Sequence, residues 1–138
     1  MIKIEIPMLP PHGLSPNARL HWAERFKAAQ EFRTATAMGV MGCGGWHPME
    51  RATIQATFVV TTQRRRDPDN WLAMLKPALD FLVDTGILID DDWAHVELLS
   101  PRFVVDKVRA PMTVLEIDDI SNELLASPTR KAGGIDGL

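Results

Sequence analysis

Between residues 52 and 85 the spacing of apolar side chains changes from two to three and four, and the change falls on a proline. ATIQATFVVTT (52–62) alternates, whereas beyond RRRDPDN (64–70) leucines recur at 72, 75, 79 and 82. Alternation turns one face of a strand to a core; spacing of three and four gathers residues on one stripe of a helix. Asp67 then Pro68 supplies a helix cap and a first-turn proline, and Gly86 supplies an end. A chain that passes directly from a half-buried strand into an amphipathic helix belongs to a mixed α and β architecture.

The remaining segments fit that frame. IKIEIP (2–7) alternates Ile2, Ile4 and Ile6 with Lys3 and Glu5 and reads as a strand, followed by the Pro- and Gly-rich loop MLPPHGLSPN. Ser15 and Pro16 predict the start of a helix running to about Met38, with Trp22, Phe26, Ala29 and Phe32 on its core side. Arg19, Arg25, Lys27 and Arg33 lie on its other faces. GCGGWHPME breaks that helix from the strand at 52–62, and VELLSPRFVV and MTVLEID read as two further strands. The expectation is an α+β fold: a small mixed sheet of about four strands with two main helices, in one domain over residues 1–120. Residues 121–138, SNELLASPTRKAGGIDGL, are expected to form a flexible tail with one short helical turn.

Composition narrows the function classes. At 138 residues, with 46% hydrophobic and 24% charged, the chain has ordinary soluble globular character. The lone Cys43 allows no intrachain disulfide and no thiolate zinc cluster, which favours a reducing, cytoplasmic setting. Apolar runs fall well short of the ~18 residues of a membrane span, and MIKIEIP does not pattern as a signal peptide. The net charge of -3 argues mildly against nucleic acid. A bound divalent cation raises that sum by two, however, so the distribution of charge matters more than its total.

The distribution is uneven. Arg64, Arg65 and Arg66 abut Asp67, Asp69 and Asn70, and Asp90, Asp91 and Asp92 follow the turn at Gly86. On a continuous helix Asp69 and Lys76, seven apart, lie within about 20° of each other on one polar strip. Carboxylates brought together repel unless a cation compensates them, and an all-oxygen set suits Mg²⁺ or Mn²⁺. Such a metal activates water and neutralises charge on a phosphodiester, Lys76 adds its own charge, and the arginines hold flanking phosphates.

Each feature also has a plain structural reading. DPDN makes a good turn and cap, Lys76 has Asp80 four residues on for a surface ion pair, and DDD suits a solvated turn. His12, His21, His47 and His95 are scattered, and the four tryptophans suit core or interface, with Trp22 or Trp93 placed to stack on a base. An EF-hand begun at Asp90 would need glycine where His95 stands. The DxD of glycosyltransferases matches Asp67 and Asp69 but is very short. No phosphate-binding GxxxxGK[ST] loop, GxSxG elbow or HExxH pair occurs.

Over about residues 2–118 the chain resembles the RusA family of Holliday junction resolvases, found in bacteria and commonly carried by phages and prophages. The likeness rests on Arg65, Arg66, Asp67, Asp69 and Asn70, a following helix with Lys76, then Asp80, Leu82 and Gly86, then Asp90 and Asp91. The opening strand, the LPP turn at Leu9–Pro11 and the SPN at Ser15–Asn17 match the family's start. The resemblance implies a homodimeric, Mg²⁺-dependent endonuclease, in which Mn²⁺ can substitute, that cuts four-way DNA junctions by paired nicks and leaves 5′-phosphate and 3′-hydroxyl ends. It implies Asp67, Asp69 and Asp91 as metal-binding carboxylates, Asp90 as the next candidate, and Lys76 as the catalytic lysine. In many members that lysine lies four residues after the second aspartate, where this chain has Ala73. DNA contacts are expected from Arg64, Arg65, Arg66 and Asn70 and from Arg19, Arg25, Lys27 and Arg33. A four-way junction has two-fold symmetry, so a two-fold dimer presents two matching sites.

Overall fold

A computed structural model of the protein describes residues 1–121, so the tail expected beyond Ser121 lies outside the described residues. The expected α+β fold is present, with five strands rather than about four. In chain order they are β1 (Ile2–Ile6), β2 (Ala52–Val60), β3 (Val96–Leu98), β4 (Arg102–Val105) and β5 (Met112–Asp119). β5 lies between β1 and β2 and is antiparallel to both, while β3 and β4 run parallel to β2 along its other side.

β3 and β4 amount to one edge strand interrupted by a bulge. The register passes from Ile54 opposite Leu98 to Thr57 opposite Arg102, so two residues of β2 face three of its neighbour. Pro101 has no N–H for the ladder, and the Gln55 side-chain amide donates to the Ser100 carbonyl at 2.6 Å. VELLSPRFVV therefore forms two short strands, not one.

One face of the sheet carries the core. Ile2, Ile4 and Ile6 of β1, Ile54, Ala56 and Phe58 of β2, and Leu115 and Ile117 of β5 are all buried, as strict alternation requires. Helix α1 (Trp22–Met41) and helix α3 (Lys76–Thr85) cover this face through Phe32, Ala35, Leu79 and Leu82. Gly39 lets α1 come close: a Cβ there would sit 2.8 Å from the Glu5 carbonyl oxygen of β1.

The first helix starts later than the sequence predicts. Ser15 closes a short 3₁₀ turn at His12–Leu14, and the cap of α1 is His21, whose Nδ1 accepts from the Ala23 N–H at 3.2 Å. Trp22 and Phe26, expected on the core side, are 74% and 59% exposed. Buried residues begin at Phe32, because only the C-terminal half of α1 packs against the sheet and α3. Among the described residues no helix is long and apolar enough to cross a membrane.

Candidate functional site

β2 delivers the chain through Thr61–Arg66 to Asp67, which caps helix α2 (Pro68–Ala73) by accepting from the Asp69 N–H at 3.0 Å. Pro68 takes the first turn, where its missing N–H costs nothing. Both carboxylates are exposed. Trp71 anchors α2 to the sheet, with ring centroids 4.9 Å from Phe58 on β2 and 5.5 Å from Phe103 on β4.

The single helix expected from Asp67 to Gly86 is interrupted at Met74 and Leu75. Pro77 is the cause: without an N–H it cannot bond the Ala73 carbonyl, so the ladder lapses and restarts as α3 with Lys76 as its first residue. Met74 and Leu75 keep right-handed helical dihedrals, so the interruption is a tightened turn and not a loop. The strip shared by Asp69 and Lys76 thus spans two helices, with about 10 Å of rise over their seven-residue separation. The break costs little in packing, since Leu75, Leu79 and Leu82 remain buried. α3 ends at Gly86, whose φ of 91° is left-handed, as the sequence predicts.

After Gly86 the chain returns beside the start of β2. The Met49 N–H donates to the Ile87 carbonyl at 2.8 Å, and Arg51 holds the next loop by donating to the carbonyls of Trp93 at 3.1 Å and Ala94 at 2.7 Å. This brings Asp91 to Lys76: Oδ2 of Asp91 accepts from Nζ at 2.6 Å, and Asp80 lies 3.0 Å from the same amine. Asp91 is the most enclosed of these groups, its side chain 18% exposed against 62% for Lys76. The hydrogen bond from Lys76 holds the Asp91 carboxyl below the usual carboxylate range, and Asp91, then Asp80, raise the lysine. Both the helix-surface pair with Asp80 and the link to the aspartate run therefore converge on one ammonium group.

Asp67, Asp69 and Asp91 do not form a tight cluster. Among the described residues, the set of three ligand-type side chains whose atoms lie within 4.8 Å of one another is Asp90, Asp92 and His95. His95, one of the four scattered histidines, hydrogen-bonds Asp92. The i, i+3 spacing of Asp92 and His95 within a turn accounts for that pair alone, and does not by itself bring Asp90 to it.

The basic residues divide into engaged and free. Arg66 donates through Nη1 to the Thr62 carbonyl at 2.9 Å and lies over the Trp71 ring, 5.8 Å from its centroid. Arg25 donates to the Ala18 carbonyl at 2.8 Å, and Arg33 pairs with Asp84 at 2.7 Å beneath Phe81. Those two brace the first helix and are not freely available for phosphate. Arg19, Lys27, Arg64 and Arg65 are exposed and form no ion pair among the described residues; Asn70 is half-buried in α2.

No family model matches the chain. It is similar to a Xylella fastidiosa protein described as uncharacterized, 34% identical over 120 residues that cover 83% of this chain and 74% of that protein.

Proposed function

The chain belongs to one family with the Xylella fastidiosa protein, and we propose that it is a RusA-like, metal-dependent endodeoxyribonuclease that resolves four-way DNA junctions as a homodimer. The observation that carries this reading is the 2.6 Å contact between Lys76 and Asp91. It ties the aspartate run at 90–92 to the helical stretch that opens with Asp67 and Asp69.

The donor set suits a hard cation. Asp67 and Asp69 expose their carboxylates, and the hydrogen bond from Lys76 favours the ionised form of Asp91. Asp67 and Asp69 stand apart from Asp91 and its sequence neighbour Asp90 in this structure; drawn together, they would hold Mg²⁺ or Mn²⁺, which when bound supplies an acidified water and neutralises charge on the phosphodiester. The protein's own groups do the rest. Lys76, with its raised pKa, is an ammonium at neutral pH, so it stabilises the departing 3′ oxygen and does not act as a base. Arg64 and Arg65 position the strand by its phosphates. Water attacks phosphorus and the P–O3′ bond breaks, leaving a 5′-phosphate and a 3′-hydroxyl.

A second reading, a junction-binding protein with weak or lost cleavage, draws on the same contact, because an amine shared by Asp80 and Asp91 is already occupied. A mobile synthetic four-way junction and a matched linear duplex, incubated with Mg²⁺, Mn²⁺ or EDTA, separate the two. The resolvase reading expects paired, metal-dependent nicks in the junction alone, lost in Asp69→Asn while binding persists. Binding without nicks in either metal supports the second reading; no preference for the junction counts against both.

A further inference from the structure

The loop before Asp67 and the edge strand β4 enclose an open groove of about 330 Å³, lined by Gln63, Arg64, Arg66, Phe103 and Val105. Its two sides differ in chemistry. Phe103 and Val105, two residues apart on a strand, project to the same face, and the Phe103 ring packs with those of Phe58 and Trp71, 5.5 Å from each centroid. Val105 is 42% exposed although Val60, its partner in register on β2, is buried.

The opposite side is cationic and uncompensated. All the acceptors that Arg66 finds are neutral oxygens of Thr62 and Arg64, and its Nε is buried with no acceptor among the described residues. Neither Arg64 nor Arg66 pairs with a carboxylate there. An anion gains more from such a charge than from a solvated, neutralised one.

A ligand with an anionic group joined to a flat apolar ring fits these two sides, and a nucleotide is such a ligand. We propose that this groove holds one nucleotide of the DNA strand beside the cut, its base against Phe103 and Val105 and its phosphate against Arg64 and Arg66. The inference rests on the endonuclease reading and extends it to a subsite. Arg64 lies three residues before Asp67, at most about 10 Å at full extension, which is no more than about three nucleotide steps of 3.4 Å along a stacked strand. The Gln63 amide, with two donors and an acceptor, borders the same groove and can read a base edge, so the groove also sets sequence preference near the cut.

The test uses four-way junctions carrying 2-aminopurine one, two or three nucleotides from the cut, in Ca²⁺ so that binding is read without hydrolysis. Wild-type protein should quench the probe at one of these positions. Val105→Glu and Arg64→Ala, both at exposed sites, should abolish the quench and weaken binding about tenfold with unchanged melting, while Val105→Ile should retain it. Wild-type quenching that survives in both variants overturns the groove assignment, as does its absence from wild type at all three positions. Junction nicking in Mg²⁺, measured in parallel, judges the endonuclease reading by itself. A groove-dependent quench without nicking keeps the nucleotide subsite and removes the nuclease; nicking without such a quench does the reverse.

Discussion

Lys76 makes the most direct claim at the scale of single residues. Its amine meets two carboxylates, yet it is 62% exposed, so the pairs hold little stability and their value lies in placement. Replacing Lys76 with Ala should lower the melting free energy by no more than about 1 kcal/mol. If the ammonium serves the leaving oxygen, kcat for junction nicking should fall by about 10²–10³ with junction affinity little changed. Unaltered single-turnover rates would reduce Lys76 to a tether for Asp91. Asp119 carries a different kind of prediction. It accepts from the Ser121 hydroxyl at 2.6 Å, the Ser121 N–H at 3.0 Å and the His47 ring at 2.9 Å, contacts that lower its pKa to about 2. A carboxyl depressed by folding contributes stability that is complete above its unfolded pKa of about 4 and is lost as pH falls toward 2. Melting temperature followed from pH 5 to pH 2 should therefore fall less steeply for Asp119→Asn than for the wild type, and parallel curves would contradict the assignment.

Among the elements, α1 lies close to β1 at one residue. A glycine within a helix ordinarily costs about 1 kcal/mol relative to alanine. At Gly39 the sign should reverse, because an added Cβ would lie 2.8 Å from the Glu5 carbonyl oxygen and 2.9 Å from Ile4 Cγ2. Backbone of a central contact yields poorly, so Gly39→Ala should destabilise by about 1–3 kcal/mol, while Gly42→Ala, whose nearest neighbour would be 3.7 Å away, should not. Urea midpoints at constant slope measure both. The elements also show what the sequence made legible. Alternation placed β1, β2 and β5 because each turns one face into a core, and the cap at Asp67 and the end at Gly86 were readable because local hydrogen bonding determines them. Pro77 was visible but overridden, since the leucine stripe continues unbroken across it and period alone cannot report a missing N–H. Pro101 hid the bulge in the same way. The exposure of Trp22 and Phe26 was not legible, because periodicity reports a face without saying where its partner stops. Nor was the grouping of Asp90, Asp92 and His95, which depends on a loop fixed by Arg51 from a distant segment.

For the whole molecule, a net charge of -3 must be reconciled with a proposed DNA partner. Among the described residues, the positive side chains at the site that form no ion pair lie in the loop from Gln63 to Arg66, whereas the carboxylates follow it along α2 and at 90–92. Attraction to phosphate is thus local, and cation binding at the carboxylates would remove the repulsion beside it. One chain offers one such site, and resolution of a junction calls for two cuts on opposed strands, so the proposed activity belongs to a pair of chains related by two-fold symmetry. Light scattering should then report twice the 15.4 kDa of the chain. A mixture of wild type with excess Asp69→Asn, allowed to exchange subunits, sharpens the point. Mixed dimers carry one intact site, so singly nicked junctions should accumulate where wild type alone gives resolved duplexes. If the mixture resolves junctions without that intermediate, the two cuts do not come from two sites of one dimer, and the two-fold argument fails even if each chain is a nuclease.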